Sequence, residues 1–265
     1  MKEHVLQTAI EAAHRAGKLI AERYPDERSI TLKGYRDIVT EVDTAAESII
    51  IDLVRERFPK HAILSEEAGG AGIGAGITWV VDPLDGTTNY AHRIPCFCVS
   101  VGVLENGKPL AGVIYDPLRS QTFIAKQGKG ALLNGKPIHT SQAARLSRTV
   151  LALDWGHSDE VRAQTIKLLL RTAPRCGTVR ALGSAALALA YVAVGWLDGY
   201  FSLALKPWDT AAGTLLIAEA GGRCTTLDGD PYRVGVPDSL ATNGLIHDEI
   251  LAVIAGSAQL PAVHR

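Results

Sequence analysis

No run of this 265-residue chain is apolar for long enough to cross a bilayer. The longest uncharged stretch, 181–197, falls short of the roughly 20 residues a span needs, and its alanines read as a buried helix. The start of the chain, Met1-Lys2-Glu3-His4, continues with charges every few residues and has no apolar signal core, so the expected location is the cytoplasm. A charge bias is missing too: 27 basic residues stand against 28 acidic ones, a net charge of -1. Neither nucleic acid nor a membrane is therefore expected as a partner. Four cysteines (Cys96, Cys98, Cys176, Cys224) are too few for a disulfide framework and fit no zinc spacing; Cys96 and Cys98 are expected as packed thiols on one strand face. None of the eight histidines lies in a His-x-His or His-Glu-x-x-His pattern. The glycines of 69–76 match neither phosphate-loop nor dinucleotide spacing, which makes that segment a flexible connector.

What is present is an ordinary globular composition, 47% hydrophobic and 21% charged. Apolar residues from Val5 to Ile20 recur at helical spacing, predicting an amphipathic helix over 2–24 that Pro25 ends. Extended chain over 30–34 and 37–43 leads to a second helix, for which Thr44 and Glu47 have capping-box spacing. Asp43 would then stand just outside that helix, where it serves equally as a charge favoured by the macrodipole. Alternating runs at 97–104, 110–115 and 122–125, separated by Asn106-Gly107 and Asp116-Pro117, read as an antiparallel meander. Beyond about residue 146 the style changes, with helices at 159–172, 183–194, 210–220 and 247–254 and strands at 150–153, 197–203, 223–226 and 239–242. No linker divides the two parts, so a single α/β catalytic unit over 1–265 is expected, with an N-terminal α+β part (about 1–145) and a C-terminal α/β part (about 146–265).

Two apolar runs end in acids. Ala62–Ser65 stops at Glu66 and Glu67, and Ile77–Val81 stops at Asp82-Pro83-Leu84-Asp85-Gly86-Thr87-Thr88-Asn89. Asp82 is expected at the lip of its strand, with a tight turn after it made by Pro83 and Gly86. Asp209 follows Pro207-Trp208 at an expected helix start, a place a plain N-cap explains nearly as well as a ligand. If Glu66, Asp82, Asp85 and Asp209 converged within about 4 Å, each pair would repel by about 4 kcal/mol at an effective dielectric of 20. Such a cluster takes up protons or hard cations, and an all-oxygen set selects magnesium, manganese or calcium over zinc. Magnesium held this way suits phosphoryl chemistry. Thr87 is placed to orient an attacking water, and a hydroxyl needs a carboxylate behind it, for which Asp43 leads.

Together, Asp82-Pro83-Leu84-Asp85-Gly86-Thr87-Thr88-Asn89, Glu66-Glu67 and Trp208-Asp209-x-Ala211-Ala212-Gly213 resemble the motifs of the inositol monophosphatase family of lithium-sensitive, magnesium-dependent sugar and polyol phosphatases. Asp37-Ile38-Val39-Thr40-x-x-Asp43, Gly183-Ser184-Ala185-Ala186 and Leu197-Asp198-Gly199-Tyr200 extend the likeness in the same order over most of the chain. The resemblance implies a layered α-β-α-β-α sandwich, usually a homodimer. It implies two or three magnesium ions, with manganese as a substitute, on Glu66, Asp82, the Leu84 carbonyl, Asp85 and Asp209. Thr87, Asp43 and Glu66 would activate the water, Gly86 and Thr87 would offer N–H groups to phosphate, and Ala185, Ser202 and Asp209 would face the substrate. The implied reaction is hydrolysis of a small phosphate monoester, myo-inositol monophosphate first. Fructose-1,6-bisphosphatase, histidinol-phosphate phosphatase and a broad sugar phosphatase are the alternatives, followed by a non-catalytic partner-binding protein. One departure stands out: inositol-specific members hold a glutamate seven residues before the Asp209 position, and this chain has Ser202 there. Arg180 lies near a position expected to approach the polyol or the dimer partner.

Overall fold

Helix α1 (Lys2–Arg23) buries the stripe its spacing predicts, including Val5, Ala9, Ala13, Ala16 and Ile20. The computed structural model describes residues 2–70 and 72–256, with only the backbone of Lys2. Met1, Ala71 and 257–265, which fall within the expected single unit and, for Ala71, the glycine-rich connector, lie outside the described residues. After α1 come the hairpin strands β1 (Ile30–Gly34) and β2 (Asp37–Thr40), then helix α2 (Glu41–Arg57). The expected cap of α2 needs correction. Thr40, in extended backbone, is the N-cap, and the Asp43 carboxylate accepts the Thr40 N–H at 2.9 Å. Asp43 therefore sits inside the first turn and not before the helix. Glu47 is spent elsewhere, accepting the N–H groups of Glu67 and Ala68 at 3.0 and 3.1 Å.

The chain continues through β3 (Ala62–Ser65), β4 (Gly69–Gly70), β5 (Ile77–Asp85), the short helix α3 (Thr87–Ala91), β6 (Cys98–Glu105), β7 (Lys108–Asp116), β8 (Gln121–Lys126), β9 (Ala131–Leu133) and β10 (Lys136–Ile138). These strands form one eight-stranded sheet in the order β10-β9-β8-β7-β6-β5-β3-β4, with the expected meander antiparallel and β3 parallel to β5. The second half comprises β11 (Val150–Leu153), α4 (Asp159–Thr172), β12 (Thr178–Arg180), α5 (Ala185–Ala193), β13 (Gly199–Ser202), α6 (Pro207–Glu219), β14 (Arg223–Thr225), β15 (Ser239–Thr242) and α7 (His247–Ile254). Its sheet runs β12-β11-β13-β15-β14, parallel through β13 and antiparallel beyond.

Five layers result. Helices α1 and α2 cover the outer face of the large sheet, α5 and α6 fill the space between the sheets, and α4 and α7 cover the outer face of the small one. This is the layered α-β-α-β-α sandwich. The uncharged stretch supplies α5, whose residues are buried all round except Tyr191 because a sheet lies on either side. Cys98 stands in β6 and Cys96 just before it, so the two do not share a strand.

Close approach between α6 and the large sheet depends on missing side chains. Gly102 of β6 and Gly112 of β7 are register partners beneath the helix. A Cβ at Gly102 would lie 2.4 Å from the Ala211 Cβ, and one at Gly112 would lie 2.8 Å from the Ala212 carbonyl oxygen. Both distances are impossible for real atoms, so a side chain here must push α6 away. We expect Gly102→Ala to cost about 1–3 kcal/mol through overpacking, read from the urea midpoint. Gly72→Ala, whose Cβ meets nothing within 4 Å, should leave the midpoint within about 0.5 kcal/mol of the parent.

Candidate functional site

The strand that carries the first acids does not stop where its apolar run stops. Asp82 pairs with Ser100 and Asp85 with Cys98, so Pro83 and Leu84 on β5 stand against Val99 alone on β6, and a bulge takes the place of the expected tight turn. Pro83, which has no N–H to give a ladder, lies in the unpaired part of the bulge. The Asp82 carboxylate accepts the Leu84 N–H at 3.0 Å, which fixes the bend. Gly86 then turns the chain at φ 97° into α3. A Cβ there would sit 2.9 Å from the Cys96 carbonyl oxygen, so the position tolerates only glycine.

Asp209 reaches the same place from the other side of the cleft. Helix α6 starts three residues earlier than expected, with Pro207 in its first turn, and Asp209 occupies the third position, accepting the Lys206 N–H at 2.7 Å. It is thus not the N-cap residue. Asp82, Asp85 and Asp209 each bring a carboxylate oxygen within 4.8 Å of the others. Glu66, just past β3, lines the same cleft and lies against Asp82, but Lys33 of β1 holds it at 2.8 Å and Glu67 at 2.7 Å. Three of the four expected carboxylate ligands converge, with the fourth beside them.

Burial dominates the electrostatics of this group. It pushes Asp82 well above the usual carboxylate range, and the charges of Glu66, Asp85 and Asp209 push in the same direction. Asp209 is raised by burial and then by Asp85. Asp85 is raised by burial to about 6, although the Ser184 hydroxyl and the N–H groups of Ala185 and Ala186, at 3.2 and 2.9 Å, favour its charged form. The start of α5 therefore grips one member of the cluster. A compact all-oxygen set, short of positive charge and with no imidazole or free thiolate in it, fits a hard divalent cation. The nearest sulfur, Cys98, is buried and its thiol is pushed well above its usual pKa by that burial.

Thr87 and Asp43 meet as expected. The Thr87 Oγ1 lies 2.8 Å from Asp43 Oδ1 and 3.0 Å from the Leu84 carbonyl oxygen. The Asp43 carboxylate is buried, which raises its pKa, while the Thr40 and Thr87 hydroxyls and the Thr40 N–H oppose that rise. Leu84, Gly86, Thr87, Ala185, Ser202 and Asp209 all line one cleft of about 300 Å³. Arg180 turns instead to Thr178 Oγ1 and the Val179 carbonyl.

Sequence reasoning missed part of the wall. Asp154 closes β11 and lines the cleft; the signal was there, since Val150–Leu153 is a third apolar run ending in an acid. Arg36 and His157 carried no such signal. They meet because the β1–β2 hairpin touches the segment before α4, with His157 Nδ1 2.7 Å from the Arg36 carbonyl oxygen and Arg36 Nη1 2.6 Å from Asp159.

Protons and cations compete for these oxygens. Asp85 ionises near pH 6 in the fold against 3.8 for a free side chain, so its contribution to stability is complete below 3.8 and is lost as pH rises through about 6. A divalent cation offsets that loss and gains affinity as the proton leaves. At fixed magnesium, the rise in melting temperature over EDTA-treated protein should therefore be small at pH 5 and grow through pH 6 to 7.5. A shift independent of pH over that range would contradict the cage.

Comparison with known proteins agrees with this geometry. The model of the inositol monophosphatase family matches residues 1–259. The Nus factor SuhB of Escherichia coli K12 is 44% identical over 252 residues, 94% of each chain. The inositol-1-monophosphatase of Synechocystis is 39% identical over 263 residues, 96% of this chain and 90% of that protein. In structure, the extragenic suppressor protein suhB of Bartonella henselae superposes with a TM-score of 0.91 at 34% identity, covering 96% of this chain and all of its own. Likeness of this extent, in sequence and in fold alike, shows that the chain belongs to the inositol monophosphatase family.

Proposed function

We propose that the protein is a magnesium-dependent phosphomonoesterase that hydrolyses myo-inositol monophosphate to inositol and phosphate. The observation that carries this reading is the Asp82, Asp85 and Asp209 cluster lining one cleft with Thr87, whose hydroxyl is bonded to the buried Asp43 behind it. Glu66, Asp82, Asp85, Asp209 and the Leu84 carbonyl would hold two or three magnesium ions, or manganese in their place. Bound there, such ions supply Lewis-acid polarisation and make water acidic enough to attack phosphorus near neutral pH. The chain's own residues do the rest. Thr87 Oγ1 passes its proton towards Asp43 Oδ1 and accepts one from the incoming water, which aims the water oxygen at phosphorus. Glu66 shares in orienting that water. The N–H groups of Gly86 and Thr87 receive phosphate oxygens, while Ala185, Ser202 and Asp209 face the alcohol.

Fructose-1,6-bisphosphatase, histidinol-phosphate phosphatase and a broad sugar phosphatase remain rivals within the same chemistry, because Ser202 stands where an inositol-reading glutamate is expected. The name of the Escherichia coli relative, a Nus factor, favours a second, partner-binding reading and stands against the expectation of no nucleic-acid partner. Balanced charge, -1 overall, supports that expectation, and the complete set of acids supports catalysis. Homodimerisation, lithium inhibition and a cytoplasmic location belong to the proposal. Among the described residues no helix is long and apolar enough to cross a membrane.

Purified protein assayed with magnesium against inositol 1-phosphate, fructose bisphosphate and histidinol phosphate separates the rivals. Phosphate should be released fastest from the inositol ester; release from another ester alone would overturn the substrate, and release from none would overturn the enzyme. Thr87→Ala should lower kcat by about 10²–10⁴-fold with magnesium affinity nearly unchanged. Asp209→Asn should lower both together, and unchanged magnesium dependence in that variant would remove Asp209 from the ligand set.

A further inference from the structure

Beyond the carboxylate cluster, Asp154 on the cleft wall has no part in the chemistry described so far. Asp154 follows directly on β11, and Ser202 ends β13, its parallel neighbour. The last paired residues of these strands are Leu153 and Phe201, so Asp154 and Ser202 stand side by side one step further on. Both line the cleft. Among the described residues Asp154 is not one of the three acids whose oxygens converge. Its charge nevertheless reaches them, raising both Asp85 and Asp209.

The carboxylate of Asp154 is held in place. Tyr200, whose hydroxyl is fully buried, donates to Asp154 Oδ2, and the Gly183 N–H donates to the same carboxylate. A carboxylate has about four lone-pair sites, and these two donors use half of them. Two acceptor sites remain on a side chain that is fixed, partly exposed and part of the wall of the cleft that holds the cluster. Ser202, beside it, adds a hydroxyl that is bonded to the Tyr200 hydroxyl and keeps its capacity to accept. A pair of this kind suits an alcohol with neighbouring hydroxyl groups, which arrive as donors and need acceptors already aimed at them.

We infer that Asp154, positioned by Tyr200 and Gly183 and paired with Ser202, is the residue that reads the hydroxyl groups of a polyol phosphate. This rests on the phosphatase reading above. It makes Asp154 a specificity-determining residue, in contact with the alcohol part of the substrate and not with phosphorus or metal. The acceptor that a glutamate at position 202 would offer is delivered from the adjacent strand instead.

Two esters test it. Inositol 1-phosphate carries hydroxyl donors on its alcohol, and p-nitrophenyl phosphate carries none. Asp154→Asn, which keeps the shape and removes the charge, should raise KM for inositol 1-phosphate by about 10–100-fold, the worth of one hydrogen bond to a charged group. At saturating magnesium, KM and kcat for p-nitrophenyl phosphate should stay within about twofold. Calorimetric binding of myo-inositol should weaken with the polyol KM. Adding Ser202→Glu to Asp154→Asn should restore the preference for the polyol ester, which a merely structural Asp154 would not allow. Equal losses on both esters, or no change on either, would overturn the inference and leave the phosphatase reading intact. Wild-type protein that hydrolyses neither ester would end that reading, and this inference with it.

Discussion

Mutual repulsion among buried carboxylates is the constraint on which the rest of this structure turns. Asp82 and Asp85 are 2% and 7% exposed, and with Asp209 they gather oxygens within 4.8 Å. Ionised at that spacing, each pair costs on the order of 4 kcal/mol at an effective dielectric of 20, a large share of the 5–15 kcal/mol that typically holds a fold together. The fold tolerates the cluster by supplying donors from several directions. Leu84 offers its N–H to Asp82, the first turn of α5 offers three donors to Asp85, and Lys206 offers its N–H to Asp209. Lys33 answers Glu66 from the hairpin. Burial alone works against its ammonium form, and the hydrogen bonds to Glu66 and Glu67 raise its pKa nonetheless. What these donors leave uncompensated is the site's affinity for a hard cation.

That arrangement explains why elements far apart in the chain must meet within tenths of an ångström. Asp85 sits on the large sheet, its donors on α5, and Asp209 on α6, between the sheets. The Gly102–Gly112 pair lets α6 settle onto the sheet, and Gly213 lets α6 settle against Leu189 of α5. Stability and function therefore share residues: the small side chains that close the core also set the distance between Asp209 and the two acids of β5.

Much of this was legible from the residues alone. Six elements, β1, β3, β11, α4, β15 and α7, have the bounds their patterns predict, because each is a short extended run or an amphipathic helix bounded by clear breakers. The Thr87–Asp43 pair was also foreseen, on chemical grounds, 44 residues apart. Other features depend on tertiary context. The bulge that carries β5 on to Asp85 needs its partner strand, since Pro83 locally reads as a turn. Thr40 was passed over as a cap because Thr44–Glu47 has the same spacing, and only the turn after β3 shows where Glu47 is used. Asp154 carried the same signature as Asp82, an acid after an apolar run, and its importance became visible only when strand register set it beside Ser202. The Arg36–His157 contact joins residues 121 apart across the cleft and leaves no local trace.

Substrate and catalysis both rest on the claim that these acids form a metal cage, and that claim is open to direct observation. Anomalous scattering from crystals soaked in manganese should show at least two peaks in the cleft, within coordination distance of oxygens of Asp82, Asp85, Asp209 and Glu66. Glu66 would then have exchanged its bond to Lys33 for one to metal. Manganese bound only elsewhere on the protein, or a cleft without anomalous density at saturating ion, would contradict the account at its centre.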